Sequence, residues 1–214
     1  YVAFQDSDDE WLHGKLTRQA AQFAAAPKDC VCVYCIKIVY GRDPQFNRGK
    51  RRVACVPGPD VAEVAGHIAQ RLWQGNIVSP QTAICDKAAV LRLGGFDERL
   101  RADQDWDFFS RLSETGSFGF VDEPLVNTYI QPDSISLFSR RNLFSQVVIC
   151  NKMRKRGVPV QVLAGHWARL GTRMSRQQGM RRCGRILLRA ALAAKPGDPK
   201  IWARLVLARL PRRA

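Results

Sequence analysis

The chain has 214 residues and a formal net charge of +15, from 34 Lys+Arg against 19 Asp+Glu. That length buries one good core, or a core with a small appendage. Its apolar and charged fractions, 46% and 25%, are those of an ordinary globular protein and exclude wholesale disorder.

The charge is not evenly spread. Arg140 to Ala214 holds 19 of the Lys+Arg and a single acid, Asp198, whereas residues 1–139 carry 15 basic and 18 acidic side chains. This places a boundary near residue 140, between a near-neutral part and a basic one. Seven cysteines make an odd count without a regular framework, which argues against a disulfide scaffold. Cys30, Cys32 and Cys35 lie in one apolar run and read as small buried residues on a strand. The Cys32-x-x-Cys35 spacing has no second pair to complete a zinc site. A reducing compartment follows as the expectation. No apolar run approaches the roughly 18 residues of a membrane-spanning helix. The chain begins at Tyr1 in mid-strand without an initiator methionine or signal-like segment, and so looks cut.

In chain order, Tyr1 to Phe4 reads as a buried strand, followed at once by Asp6, Asp8 and Asp9. In open α/β sheets ligands bind beyond the carboxyl ends of strands. Asp6 and Asp8 are spaced to turn toward one hard cation, magnesium or manganese, whose shell phosphate oxygens and water would complete. The plainer reading of Asp8 or Asp9 is a cap on the next helix. That helix is predicted over residues 11–26, with Leu12, Leu16, Gln19 and Phe23 at helical spacing and Pro27 ending it. A β-rich run covers 30–40, and Gly41 to Arg52 forms a basic polar loop, read as a hairpin tip. Val61 to Trp73 is predicted helical, closed by Gly75.

Pro80 to Cys85 is expected to be extended. Asp86 should cap a short helix to Leu93, which ends in the paired glycines Gly94 and Gly95. Phe96 is expected to plug the core beneath that turn. A further helix, capped by Asp103, should bury Trp106, Phe108, Phe109 and Leu112, with Asp107 and Arg111 as an i,i+4 pair. Asp105 falls in its first turn, where an ionised carboxylate is held rigidly enough to act as a general base; the plainer reading is an acid that merely satisfies the helix dipole. Two strands, Phe118–Val121 and Leu125–Ile130, are expected on either side of Asp122-Glu123-Pro124. The core should end at residues 131–136. Four helices are predicted beyond it, over 143–155, 160–171, 182–194 and 199–210, with Asp198-Pro199 as the last start signal.

Four blocks in this order resemble family 2 glycosyltransferases of the GT-A fold. They are Asp6-Ser7-Asp8-Asp9-Glu10-Trp11-Leu12, Gly94-Gly95-Phe96-Asp97-Glu98, Gln104-Asp105-Trp106-Asp107-Phe108 and Glu123-Pro124-Leu125-Val126. The resemblance covers about residues 1–136. It implies an α/β fold, a partial Rossmann-like GT-A domain over 1–139 whose N-terminal nucleotide-gripping half is missing, followed by a basic α-helical extension over 140–214. It implies an inverting, metal-dependent transfer from a nucleotide-sugar donor to a glycan or lipid-linked acceptor hydroxyl, in surface polysaccharide or glycolipid assembly. Asp6 would lie near the donor nucleotide, Asp8 with Asp9 would hold Mn2+ or Mg2+ on its diphosphate, and Asp105 would be the base.

Three departures stand out. Gln104 replaces an acid commonly found before the base, Thr128-Tyr129-Ile130-Gln131 stands where Tyr-Arg-x-His is frequent, and the N-terminal half is absent. A strand followed by Asp-x-Asp also opens the haloacid-dehalogenase-type phosphatases, but these carry Thr or Val where Glu10 stands here.

Arginine with tryptophan in the basic extension suits an anionic membrane surface. The expected location is therefore the cytoplasm, peripheral on the inner membrane face. A helical appendage with solvated arginines is the alternative. No recognisable nucleic-acid module supports a nucleic-acid partner. A competing function is a truncated, non-catalytic domain serving as a membrane- or partner-binding module.

Overall fold

The computed structural model describes residues 1–42, 51–130 and 140–209. The chain forms two compact units, Tyr1–Leu137 and Phe138–Ala214. The first is mixed α/β and the second is helical. The tip expected between Gly41 and Arg52 and the core end at 131–136 lie largely or wholly outside the described residues.

In the first unit, strands β1 (Val2–Ala3), β2 (Asp9–Trp11), β3 (Cys30–Arg42), β4 (Arg51–Val56), β5 (Ala83–Cys85) and β6 (Ser117–Ile130) form one mixed sheet. Its order is β1-β5-β3-β6-β2, with β4 also paired to β3. Only β3 and β6 run parallel among these pairs; the others are antiparallel. Helices α1 (Lys15–Ala25), α2 (Ala69–Gln74), α3 (Lys87–Leu93) and α4 (Gln104–Leu112) complete the unit.

Strand β3 explains the layering. Its side chains alternate across the sheet, as the pleat requires. Cys32 and Tyr34 join Leu72, Ala89, Phe108, Phe109 and Leu112 on one face. Val33 and Cys35 join Phe23 of α1 on the other, with Val121, Leu125 and Val126 of β6. A strand covered on both faces reads as a continuous apolar run rather than an alternating one. The cysteines of this run are buried and, like the other four, are free thiols.

Three expectations are corrected. The helix predicted from residue 11 begins at Lys15, with Gly14 at its N-cap in the left-handed region (φ 79°). Residues 9–11 instead pair with β6 as a strand, so neither Asp8 nor Asp9 caps the helix. Residues 61–68 are not helical. Gly66 (φ 83°) makes an isolated bridge to Phe118, and the Tyr34 hydroxyl donates to the Val64 carbonyl at 2.7 Å, which commits this backbone to tertiary partners. The two strands expected around Pro124 are one, β6. Its register against β3 slips between Cys35 and Lys37, where Val121 through Val126 pass opposite three residues. Proline cannot donate to a ladder, so an irregularity there is the natural outcome.

The inward face of α1 holds Gln19 and Phe23 as expected, but takes Lys15 rather than Leu16. Lys15, Gln19 and Phe23 are buried, while Leu16 is 49% exposed. Lys15 is only 2% exposed. Its Nζ donates to Gln19 Oε1 at 2.8 Å and lies 4.0 Å from the centre of the Trp11 ring. Gln19 in turn donates to the carbonyls of Val33 (3.1 Å) and Thr82 (2.7 Å).

Burial pushes the Lys15 amine down to about 8, against smaller upward effects of Cys35 and Cys32. Below that pH the folded chain carries a charged amine in a dry site, a cost the unfolded chain does not bear. As pH rises through about 8 the folded state loses this proton before the unfolded state does, so stability climbs. The buried thiols act oppositely. Burial raises Cys30, Cys32 and Cys35, the last to about 11, so above their ordinary 9.0 the unfolded chain ionises first and stability falls. Denaturant unfolding should therefore show a stability maximum near pH 9. Lys15→Met should raise stability at pH 7 by roughly 1–3 kcal/mol and remove the climb above it. An unchanged pH profile in that variant would contradict a buried, charge-penalised amine.

The second unit comprises α5 (Arg140–Lys155), α6 (Val160–Ser175), α7 (Arg181–Ala194) and α8 (Pro199–Leu207). Asp198 caps α8, accepting from the backbone N–H groups of Lys200 (2.9 Å) and Ile201 (3.3 Å). Helices α6 and α7 cross at Gly171 and Gly184: a Cβ on Gly171 would stand 2.7 Å from the Gly184 carbonyl oxygen. Among the described residues no helix is long and apolar enough to cross a membrane.

Candidate active site

The site is built where three sequence blocks meet. Phe4, just past β1, packs edge-on against Phe96 (5.4 Å between centroids) and Phe108 (6.1 Å), and Phe96 lies 4.5 Å from Phe108. Phe96 thus plugs the core beneath the Gly94-Gly95 turn, as expected. Aromatic contacts of this kind lock the end of β1, the glycine turn and α4 together.

Beyond Phe4 the chain turns tightly. The Asp9 N–H donates to the Asp6 carbonyl at 3.3 Å, and Gln5 Nε2 donates to the carbonyls of Asp6 (3.1 Å) and Asp9 (2.6 Å). Asp6 and Asp8 are exposed; Asp9 is half-buried. Along β2, side chains alternate. Asp9 and Trp11 both meet Gln81: the Gln81 amide donates to the Asp9 carboxylate, and Trp11 Nε1 donates to the Gln81 carbonyl at 2.9 Å. Glu10 points the other way and accepts from Asn127 Nδ2 at 3.1 Å.

Asp105 occupies the first turn of α4. The Asp103 position is the N-cap, but it is left-handed (φ 55°) and its side chain makes no capping bond. The Asp105 carboxylate accepts from Asn76 Nδ2 at 2.8 Å, and Asn76 is itself fixed by accepting from the Val78 N–H at 3.2 Å. Trp106 Nε1 donates to the Leu72 carbonyl at 2.7 Å, tying α4 to α2. Burial pushes Asp105 above the usual carboxylate range, although the backbone N–H of Trp106, the charge of Lys37 and the Asn76 amide pull it down.

Lys37 of β3 joins the two halves. Burial lowers its amine, and the charges of Asp9, Asp105 and Asp6, in that order, raise it again. Burial likewise raises Asp9, against the Gln81 hydrogen bond and Lys37, with Asp6 adding to the rise. Asp6, Asp9 and Asp105 therefore lie within electrostatic reach of one ammonium group. Asp8, like Asp6, is exposed on the turn that follows Phe4.

Lys37, Asn76 and Gln81 did not stand out in the sequence. A lysine inside the apolar run Cys30–Val39 was a usable signal, since charged residues are rarely buried without partners. The two amides carried none.

No family model matches the chain, and no curated protein matches it.

The donor chemistry of Asp6, Asp8 and Asp9 suits a hard divalent cation. Among the described residues no group of three His, Cys, Asp or Glu gathers closely enough to hold an ion unaided. Asp9 is engaged by Gln81. Asp6 and Asp8 are the exposed carboxylates of this turn, and an ion held there would need ligand oxygens and water to fill its shell, a habit typical of magnesium.

Proposed function

We propose that the first unit transfers a sugar from a nucleotide-sugar donor to an acceptor hydroxyl, with inversion at the anomeric carbon. The observation that carries this reading is the packing of Phe4, two residues before Asp6, against Phe96 and against Phe108, three residues after Asp105, which brings the acidic turn and the start of α4 together. The motif order of the family 2 glycosyltransferases supports it. Asp6 would stand beside the donor nucleotide, and Asp8, with Asp9 alongside, would hold Mn2+ or Mg2+ against the diphosphate. Such a cation, when bound, neutralises charge on the leaving diphosphate.

The acceptor hydroxyl is too weak an acid to ionise beforehand. Its proton passes to the Asp105 carboxylate as its oxygen bonds to the anomeric carbon. The bond from that carbon to the diphosphate oxygen breaks, and its electron pair leaves with the diphosphate. Asn76 holds the Asp105 carboxylate in place, and burial makes it a stronger base than an exposed aspartate. Lys37 offsets the mutual repulsion of the three acids, so that they tolerate one another when ionised.

The test is release of nucleoside diphosphate from a panel of nucleotide sugars, with manganese and candidate acceptors present. Release that stops on chelation, and that needs more manganese in Asp8→Asn, is the expected result. An unchanged manganese titration in Asp8→Asn would remove that residue from the metal. Silence across the panel from folded protein would favour a non-catalytic binding module instead.

A further inference from the structure

The helical unit carries a charge imbalance that its own residues do not correct. Its 19 Lys+Arg face one acid, and that acid, Asp198, is occupied at the start of α8. Between α6, α7 and α8 lies a cavity of about 530 Å3, lined by Arg169, Arg173, Arg176, Arg181 and Arg204. Among the described residues no carboxylate lines it. The volume is that of an ordinary small-molecule site.

The framework holds these arginines together. The Gly171–Gly184 crossing brings the backbones of α6 and α7 into contact, so the helices have no slack to separate at that level. Thr172 and Ser175 also line the cavity, but their hydroxyls donate to the Ala168 and Gly171 carbonyls, each at 2.7 Å. Hydrogen-bond donation into the cavity therefore falls to guanidinium groups. Arg169 Nη2 lies 2.8 Å from His166 Nδ1, which orients it from behind. Removal of its charge from water lowers Arg169 below the ordinary arginine value; Cys150 partly restores it, and the nearby Arg204 lowers it further.

Like charges crowded around a cavity favour an anion between them. Guanidinium forks match phosphate oxygens two at a time, which makes phosphate the best-fitting anion for such a set. We propose that this cavity is a binding site for a phosphate or diphosphate group. The group is either that of a free phosphorylated compound or the headgroup of a lipid. Leu207, 65% exposed, lines the same cavity, and its neighbour Val206 is also exposed, which gives the lipid source an apolar edge to rest on. The proposal rests on the second unit alone and stands or falls independently of glycosyl transfer.

The experiment is a calorimetric titration of the full chain with inorganic pyrophosphate at physiological ionic strength. One saturable site is expected. Arg204→Gln should weaken it by about tenfold or more, as loss of a charge-assisted pair does. Arg189→Gln removes the same charge from an exposed position on α7 outside the cavity, and should leave affinity nearly unchanged. Arg176→Gln, at an exposed lining position, gives a second reading should Arg204→Gln fail to fold. Equal losses in Arg189→Gln and the lining variants, or uptake without saturation, would reduce the effect to the general charge of the chain and overturn the site. So would no binding by folded protein.

Vesicles separate the sources. Sedimentation with phosphatidate vesicles, blocked by pyrophosphate and absent with phosphatidylserine vesicles of equal charge, would identify a lipid phosphate. Pyrophosphate binding without that discrimination would identify a free phosphorylated compound.

Discussion

Asp105→Asn should lower the rate of sugar transfer by about 10²–10⁴-fold, the range expected for loss of a general base. Asparagine keeps the shape of the side chain and can still accept from Asn76 at the position Oδ2 or Oδ1 now fills. It cannot take a proton. The fold should not suffer. Because burial raises Asp105 in the folded state, the folded chain binds its proton more tightly than the unfolded chain. Stability contributed by this group is therefore lost as pH rises through that window, and at pH 7 the ionised carboxylate is a cost. Removing the charge should leave the melting temperature equal or higher while activity disappears. That combination separates a base from a structural acid, whose loss would lower both. The same shift predicts that wild-type transfer falls, on acidification, at a pH above the ordinary carboxylate range. Near-normal transfer by the variant would dismiss Asp105 as the base.

Arg111→Met should destabilise the first unit by about 3–5 kcal/mol, the usual result of stranding one partner of a buried ion pair. Asp107 is fully buried, and Arg111 Nε donates to its Oδ2 at 2.8 Å. The other end of the guanidinium donates to the carbonyls of Leu93 (3.2 Å) and Gly95 (2.8 Å). One side chain thus fastens α4 to the end of α3 and to the left-handed Gly94-Gly95 turn. Met fills much of the volume but leaves a buried carboxylate and two carbonyls without this donor. Combining it with Asp107→Asn should recover part of the loss, because the stranded charge is gone. A denaturant series on both single variants and the double variant measures that coupling. Additive losses would show that the pair contributes no more than its separate contacts.

The i,i+4 spacing of Asp107 and Arg111 was legible from the sequence, and so was their pairing. Their burial was not. On an isolated helix such a pair is a surface feature worth tenths of a kcal/mol. Here the glycine turn and α3 cover it, so that removing one partner strands a buried charge. Lys15 teaches the same lesson from the other side. Leu12, Leu16, Gln19 and Phe23 made the expected stripe, and Gln19 and Phe23 do turn inward, but Lys15 is buried with them while Leu16 is exposed. The buried Lys15 amine finds its partner in Gln19, which also serves the Val33 and Thr82 carbonyls, a set of contacts that no periodicity announces.

By itself the sequence determined whatever depends on near neighbours. The four helices of the basic part follow from their periodicity, and the last begins where Asp198-Pro199 said it would. The Asp86 cap, the β3 run and the left-handed glycine turn are equally local, since each depends on side chains within one or two turns of backbone. Only the tertiary structure decided that β2 pairs with β6, that 61–68 is held out of a helix by Phe118 and Tyr34, and that Lys37, Asn76 and Gln81 join Asp6, Asp9 and Asp105. The arginine-lined cavity belongs to the same class, for it needs three helices to meet at a glycine crossing. Strand order and helix crossing bring together residues that share no local pattern, and no periodicity along the chain records which distant partners will meet.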